Sequence, residues 1–201
     1  GLQAVADASV DVVVSIDTFR SDVVRRAYEE FGEFIVNDIS AGEIDGHMVG
    51  EVARLALPYV AMHMRGLPQT MQTMTDYGSG VVREVREYLL GRAEELQRAG
   101  IAHEKIIIDP GFGFAKSVEQ NYQLLGSLDT LKRLGYPLLV GLSRKSMIYR
   151  PLGITPEDAL PGSLVLAWEA LRGGASVLRV HDVSATRQVV DLYNLYQNSV
   201  G

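Results

Sequence analysis

Ile106-Ile107-Ile108-Asp109-Pro110-Gly111-Phe112-Gly113-Phe114-Ala115-Lys116 is the stretch from which the fold is read. Three β-branched apolar residues in succession predict a short strand buried on both faces, as in a parallel sheet. The strand ends on a carboxylate, Asp109. Pro110 lacks the N–H that would extend the ladder, and Gly111 and Gly113 let the backbone turn and approach a ligand closely. Lys116 then opens a helical pattern. An α/β protein builds its sites at such points, where the carboxyl end of a buried strand meets a loop. Taken alone, the segment reads equally well as a structural turn capped by an Asp. Its recurrence along the chain is what favours a site.

A first strand over Val10–Ile16 ends on Asp17. A helix follows with Val23, Val24, Ala27 and Tyr28 on one side, and Ser21 or Thr18 is its expected cap. Phe34-Ile35-Val36 ends on Asn37 and Asp38, and Val49, Val52, Ala53 and Ala56 make the next helical stripe. Tyr59–Met62 leads to His63 and Arg65. After a loop containing Pro68, a helix is predicted from about Gly80 to Ala99, stopped by Gly100. Beyond the Ile106 strand come a helix over 118–134, a strand over 137–141 leading to Ser143, Arg144 and Lys145, and a helix over 158–172. A strand over 176–180 then leads to His181 and Asp182, and a last helix starts near Ser184. Residues 1–9 read as a helix tail or linker.

About six β–α units in alternation predict an α/β fold with a parallel sheet, because parallel neighbours need a crossover. No Gly-x-Gly-x-x-Gly opens the first unit, which disfavours a dinucleotide-binding sheet. The repeat fits a (β/α)8 TIM barrel two units short, with strands 3–8 present in one domain, 1–201. The expectation is that the other pair precedes Gly1. Apolar sheet edges would then be exposed, inviting aggregation or a partner.

With 201 residues, 47% apolar and 22% charged, the chain is globular and long enough for a substantial core. A net charge of −6 argues against a general nucleic-acid binder, though not against an anionic substrate held by local Arg and Lys. The absence of Cys excludes disulfides, thiolate nucleophiles and thiolate metal sites. No apolar run reaches the ~18 residues of a membrane span and no signal peptide is visible, so a cytoplasmic location is expected.

In a barrel all strand ends meet on one face. Asp17, Asn37, Asp38, His63, Arg65, Asp109, Ser143, Arg144, Lys145, Arg179, His181 and Asp182 would gather there. Each alone reads as a cap or surface charge; six successive polar strand ends favour a site. Arg and Lys suit phosphate or carboxylate groups. Carboxylates in the mouth suit the N–H edge of a ring such as an aminopyrimidine, and Asn37 both donates and accepts. A lone His at a strand end is more often structural than catalytic, which applies to His63 and His181. No Ser-His-Asp order or His-Glu-x-x-His is present, and no third carboxylate joins Asp17 and Asp109 in a metal set.

Ile106–Lys116, Leu139–Ser146 (L-V-G-L-S-R-K-S) and Arg179–Val183 (R-V-H-D-V) resemble the bacterial dihydropteroate synthase family. Val14–Thr18, Asn37-Asp38-Ile39 and Met62-His63-Met64 match it in the same order. The resemblance covers nearly the whole chain from about Val12. It implies a TIM-barrel transferase of folate biosynthesis, a cytoplasmic sulfonamide target. Such an enzyme joins p-aminobenzoate to 6-hydroxymethyl-7,8-dihydropterin diphosphate and releases pyrophosphate, with Mg2+ assisting. By motif match, Asp17, Asn37 and Asp109 would hold the pterin, Ile39 and Met62 would line its pocket, and Lys145 would bond the pterin near the aminobenzoate. Arg179 would pack over the pterin and, with His181, bind the diphosphate; Lys145, Arg179 and His181 form the implied catalytic set. Ser143, Arg144 and Phe114 would border the aminobenzoate. A homodimer through C-terminal helices is also implied, with no nucleic-acid or membrane partner. The family's N-V-T-P-D-S-F-like and S-T-R-P-G-like loops do not occur in these residues. The main Mg2+ ligand is therefore expected in an N-terminal loop outside them, and turnover is expected to depend on it. A methyltetrahydrofolate methyltransferase-like domain or a non-catalytic pterin-binding barrel would share the Asp and Asn contacts. The methyltransferase-like domain would not need Ser143-Arg144-Lys145 or Arg179-x-His181.

Overall fold

The computed structural model describes residues 12–66 and 74–200. The expectations for residues 1–11 and for the loop at Pro68 lie outside them. The described elements alternate as predicted. They are β1 (Ser15–Asp17), α1 (Ser21–Phe31), β2 (Ile35–Asp38), α2 (Met48–Leu55), β3 (Tyr59–Met62), α3 (Val81–Arg98) and β4 (Ile106–Asp109). After these come α4 (Val118–Leu125), α5 (Leu128–Lys132), β5 (Leu139–Val140), α6 (Ser146–Leu152), α7 (Leu160–Arg172), β6 (Val177–Leu178) and α8 (Val183–Val200). The strands form a four-stranded sheet in the order β1-β2-β3-β4 and a two-stranded sheet β5-β6. β1–β2, β2–β3 and β5–β6 pair in parallel, with Ser15 opposite Ile35, Val36 opposite Tyr59 and Leu139 opposite Val177. The α/β class with parallel strands is the one expected, although the strands pair as two sheets and not as one closed ring. No helix among the described residues is long and apolar enough to cross a membrane.

The chain divides into two compact units, Gly1–His63 with Tyr88–Ile108, and Met64–Glu87 with Asp109–Gly201. In the first unit, β3 is buried at all four positions, so it reads as a continuous apolar run and not as an alternation. Val24, Val36, Met48, Val52, Leu89, Leu96, Ile106 and Ile108 make the rest of that core. The second unit buries Phe112, Leu124, Leu128, Leu131, Leu138 and Met147. Val12 and Val13, next to β1, and Val177 in β6 are exposed.

Three local expectations are corrected. The N-cap of α1 is Arg20, with no side-chain cap of its own. Thr18 Oγ1 instead accepts from Arg20 N, and Asp45 accepts from both Ser21 N and Ser21 Oγ at 2.7 Å. A carboxylate brought from 24 residues away thus meets the helix's unpaired N–H groups and its positive end. The Ser21 and His47 backbone N–H bonds hold the Asp45 carboxyl below its usual range. The helix expected over 118–134 breaks at Gly126-Ser127 into α4 and α5. Helix α6 has no counterpart in the sequence reading: it is seven residues long and contains Pro151, which reads as a breaker.

Helix α2 ends on Ala56, held at φ 51° in the left-handed region that favours glycine. Ala56→Gly is expected to stabilise the protein by about 0.5–1 kcal/mol, because this exposed position gains relief from Cβ strain. A urea midpoint that rises at constant m-value checks this; a fall would mean that the Ala56 backbone carries no strain.

Candidate functional site

The second unit holds the densest set of polar strand ends. Asp109, the last residue of β4, is completely buried. Its Oδ1 accepts from Gly111 N at 2.8 Å, an Asx-type turn that bends the chain away from the sheet. Its Oδ2 lies 2.9 Å from Arg179 Nη2, an ion-pair contact. Among the described residues that oxygen accepts no well-formed hydrogen bond. A buried carboxylate oxygen in this state is costly unless a donor completes it. Gly141 makes room for the cation: a Cβ there would stand 3.0 Å from Arg179 Nη2.

The loop after Asp109 doubles back on itself. Gly111 and Gly113 have φ of 68° and 79°, which side chains rarely adopt. A Cβ on Gly113 would come within 3.1 Å of Lys145 Cδ. Lys145 N-caps α6, donates from Nζ to the Phe112 carbonyl, and places that ammonium 4.9 Å from the centre of the Phe114 ring. Its packed surroundings lower its pKa to about 8; Asp109 opposes that shift and Arg179 adds to it.

Arg144, at φ 55°, is engaged by Asp182 through two bonds, Nε to Oδ2 at 2.9 Å and Nη2 to Oδ1 at 2.7 Å. That fork holds the Asp182 carboxyl below its usual range. Ser143 is buried, and its Oγ meets His181 Nδ1 at 3.0 Å and accepts from His181 N at 3.3 Å. His181 itself lies toward solvent. A cavity of about 490 Å3 is lined by Gly113, Phe114, Arg144, Lys145, Ser146, Tyr149 and Arg150. The sequence pattern does not point to Tyr149 and Arg150 as lining residues, since they lie on α6, which it misses. Asp109, Phe114, Ser143, Arg144, Lys145, Arg179 and His181 are thus all in one compact unit, where Asp109 meets Arg179, Phe114 meets Lys145 and Ser143 meets His181.

The first unit carries the remaining predicted residues. Asn37 and Met62 are buried, Ile39 is half-buried and Asp17 is exposed. Asn37 O accepts from Thr18 N at 3.0 Å, tying the ends of β1 and β2 together. Asp38, which the sequence groups with Asn37, is spent internally: its carboxylate accepts from Ser40 N, Ser40 Oγ, Gly42 N and the Tyr59 hydroxyl. His63 is buried edge-on against the Tyr88 ring at 5.0 Å, which agrees with a structural histidine. Among the described residues no three His, Asp or Glu side chains cluster as a metal site.

A family model described as "Pterin binding enzyme" matches residues 1–181. The dihydropteroate synthase of Synechocystis is 43% identical over 181 residues, which is 90% of this chain and 62% of that protein. The chain therefore spans about three fifths of that relative's length. The Yersinia pestis dihydropteroate synthase, solved with a sulfonamide drug complex, superposes with TM-score 0.92 at 34% identity, covering 98% of this chain and 70% of that one. The Thermus thermophilus enzyme in complex with 6HMPPP gives TM-score 0.89 at 37% identity, covering 96% and 75%. The same Thermus enzyme has also been solved in complex with 4-aminobenzoate. With the polar strand ends in place and the family model running through to His181, the chain belongs to the pterin binding enzyme family, among whose members are the dihydropteroate synthases.

Proposed function

We propose that this chain carries the pterin-binding and aminobenzoate-binding machinery of a dihydropteroate synthase, a transferase of folate biosynthesis. The reaction joins p-aminobenzoate to 6-hydroxymethyl-7,8-dihydropterin diphosphate. The amine lone pair forms a C–N bond at the pterin methylene, the C–O bond to the diphosphate breaks, and pyrophosphate leaves. The amine is neutral near pH 7, so no general base is needed before attack, and its proton passes to solvent afterwards. The protein's work is positioning and stabilising the charge that develops on the leaving group.

The observation that carries this reading is Asp109 Oδ2, a fully buried carboxylate oxygen that lacks a hydrogen bond among the described residues. It suits the N–H edge of a pterin ring, for which an anionic acceptor is the matching group. Lys145 bonds the ring from the loop side. Arg179 and His181 bind the diphosphate. Phe114 and Ser143 border the aryl amine beside Lys145. Arg144 shapes that border and is not a free anion receptor, because Asp182 already occupies its fork. In the first unit, Asp17 and Asn37 are assigned to the pterin's polar edge, and Ile39 and Met62 to its apolar wall. Magnesium is assigned no step, since the described residues offer no fitting donor set. The likeness to synthases solved with 6HMPPP and with 4-aminobenzoate supports these substrates. A homodimer through α8 and a cytoplasmic setting complete the reading; exposed Val183, Leu192, Leu195 and Tyr196 on α8 support the first.

Calorimetric titration with a pterin diphosphate analogue and with the bare pterin tests the assignment. Arg179→Ala is expected to weaken the diphosphate ligand by about 1.5–3 kcal/mol, the range for a charged hydrogen bond, and the bare pterin by less. Equal losses for the two ligands would remove the anion-binding role from Arg179. No binding of either ligand to the parent chain would sink the functional reading.

A further inference from the structure

Lys116 is a buried cation that the proposed chemistry leaves unused. The residue is 5% exposed, and its side chain turns back into the loop that precedes it. Nζ donates to the carbonyls of Gly111 at 2.9 Å and Phe114 at 3.0 Å. Other side chains take up the backbone groups between and around these. Asn121 Oδ1 accepts from Gly113 N at 2.8 Å, Asn121 Nδ2 donates to Ser117 O at 2.6 Å, and the Tyr77 hydroxyl donates to Ala115 O at 3.0 Å. Lys145 takes the Phe112 carbonyl. Within the loop Phe114 N donates to Gly111 O at 3.1 Å, and the side chains named here take up further polar groups and so fix its course. The two features that meet Lys145, the Phe112 carbonyl and the Phe114 ring, lie on the segment that Lys116 clamps.

We propose that Lys116 is a positioning residue for the aryl-amine side of the site: by drawing the Gly111 and Phe114 carbonyls onto one ammonium, it sets where the Phe112 carbonyl and Phe114 ring hold Lys145. This rests on the synthase reading above. The clamp is sensitive to pH. Burial lowers the Lys116 pKa to about 7; Asp109 works against that shift, and Lys145 and Arg65 add to it. Below about pH 7 the ammonium binds both carbonyls with charge-assisted bonds. As pH rises through that value the charge is lost, the bonds weaken, and the loop's hold on Lys145 relaxes.

The test compares the full chain with Lys116→Met, which is unbranched and one heavy atom shorter and removes the donors, and with Lys116→Arg, which keeps a charge that does not titrate. Each is titrated with a pterin diphosphate analogue, and then with p-aminobenzoate in the presence of that analogue, from pH 6 to 7.5. At pH 6, Lys116→Met is expected to weaken p-aminobenzoate about tenfold, the effect of roughly one hydrogen bond, and to weaken the pterin, which Lys145 also bonds, by less. The parent's p-aminobenzoate affinity falls as pH rises through about 7, and this inflection is absent from both variants. If Lys116→Met fails to fold, Lys116→Arg decides alone: a flat profile supports the proposal and a retained inflection overturns it. If the parent binds pterin and p-aminobenzoate and both variants reproduce its affinities and profile, this inference fails and the synthase reading stands. A parent chain that binds neither ligand removes the synthase reading, and this inference with it.

Discussion

Asp109→Asn is expected to reduce affinity for a pterin ligand by about 1.5–3 kcal/mol, the range for losing a hydrogen bond to a charged group. The two carboxylate oxygens have different duties. Oδ1 is taken by Gly111 N, so only Oδ2 is left to accept from a ligand. An asparagine keeps the size of the side chain but has one acceptor. If that oxygen stays with Gly111 N, the amide turns two N–H groups toward the ligand's own donors. If the amide flips, the turn after β4 loses its anchor. Either arrangement also leaves the Arg179 guanidinium without its counter-charge. Calorimetry against a bare pterin and its diphosphate measures the loss, with the melting temperature of the variant as a control for folding. An affinity equal to the parent's would remove Asp109 from the pterin assignment.

Asp38→Ala is expected to destabilise the protein by about 3–5 kcal/mol, as when one partner of a buried charged network is removed. Asp38 is completely buried and accepts from Ser40 N, Ser40 Oγ, Gly42 N and the Tyr59 hydroxyl at 2.7–2.9 Å. Alanine strands all these donors in a space without room to move. Gly42 is held at φ 85°, where a Cβ would come 2.7 Å from Val49 Cγ2 and 2.8 Å from Arg92 Nη2. The Tyr59 phenol is pushed far up by burial, with Asp38 adding to the shift, so it cannot relieve the defect by ionising. Chemical denaturation gives the number. A loss under about 1 kcal/mol would mean that water replaces the carboxylate, against the close packing around it.

The readable parts of the fold are the long or strongly patterned ones. β3 is legible at its observed limits and β4 with its terminal Asp, because each is an apolar run bounded by a polar break. The helix expected over 80–99 is observed as α3, Val81–Arg98. β5 and β6 shrink to two residues each, too short for any periodic signal. The capping box at Ser117 and Gln120 is written in the sequence as Ser-x-x-Gln, a signal the helical stripe alone does not reveal. Strand ends are a sound guide to where polar residues collect, yet they do not divide the labour among them. Asn37 and Asp38 are neighbours in sequence. Asp38 is engaged by Ser40 and Gly42 just after it and also by Tyr59, 21 residues on, a partner that no local pattern shows. Arg144 has the chemistry of an anion receptor, but Asp182, 38 residues away, fills its fork. Lys116 reads as the opening of a helix, whereas its side chain points backward to clamp the loop before it. Partner choice across long sequence separations is a property of packing, and a one-dimensional pattern carries little of it.

The protein has a single tryptophan. Trp168, on α7, stands 5.5 Å from the Tyr193 ring and 5.8 Å from the Tyr196 ring, both on α8. Its fluorescence is therefore a local optical gauge of the seam between these two helices. Emission reddens when α8 lifts away and is blind to melting in the first unit, which contains no indole. A denaturation curve recorded at that wavelength follows the C-terminal seam, and only a second probe, such as far-ultraviolet circular dichroism, tells whether the rest of the chain lets go at the same point.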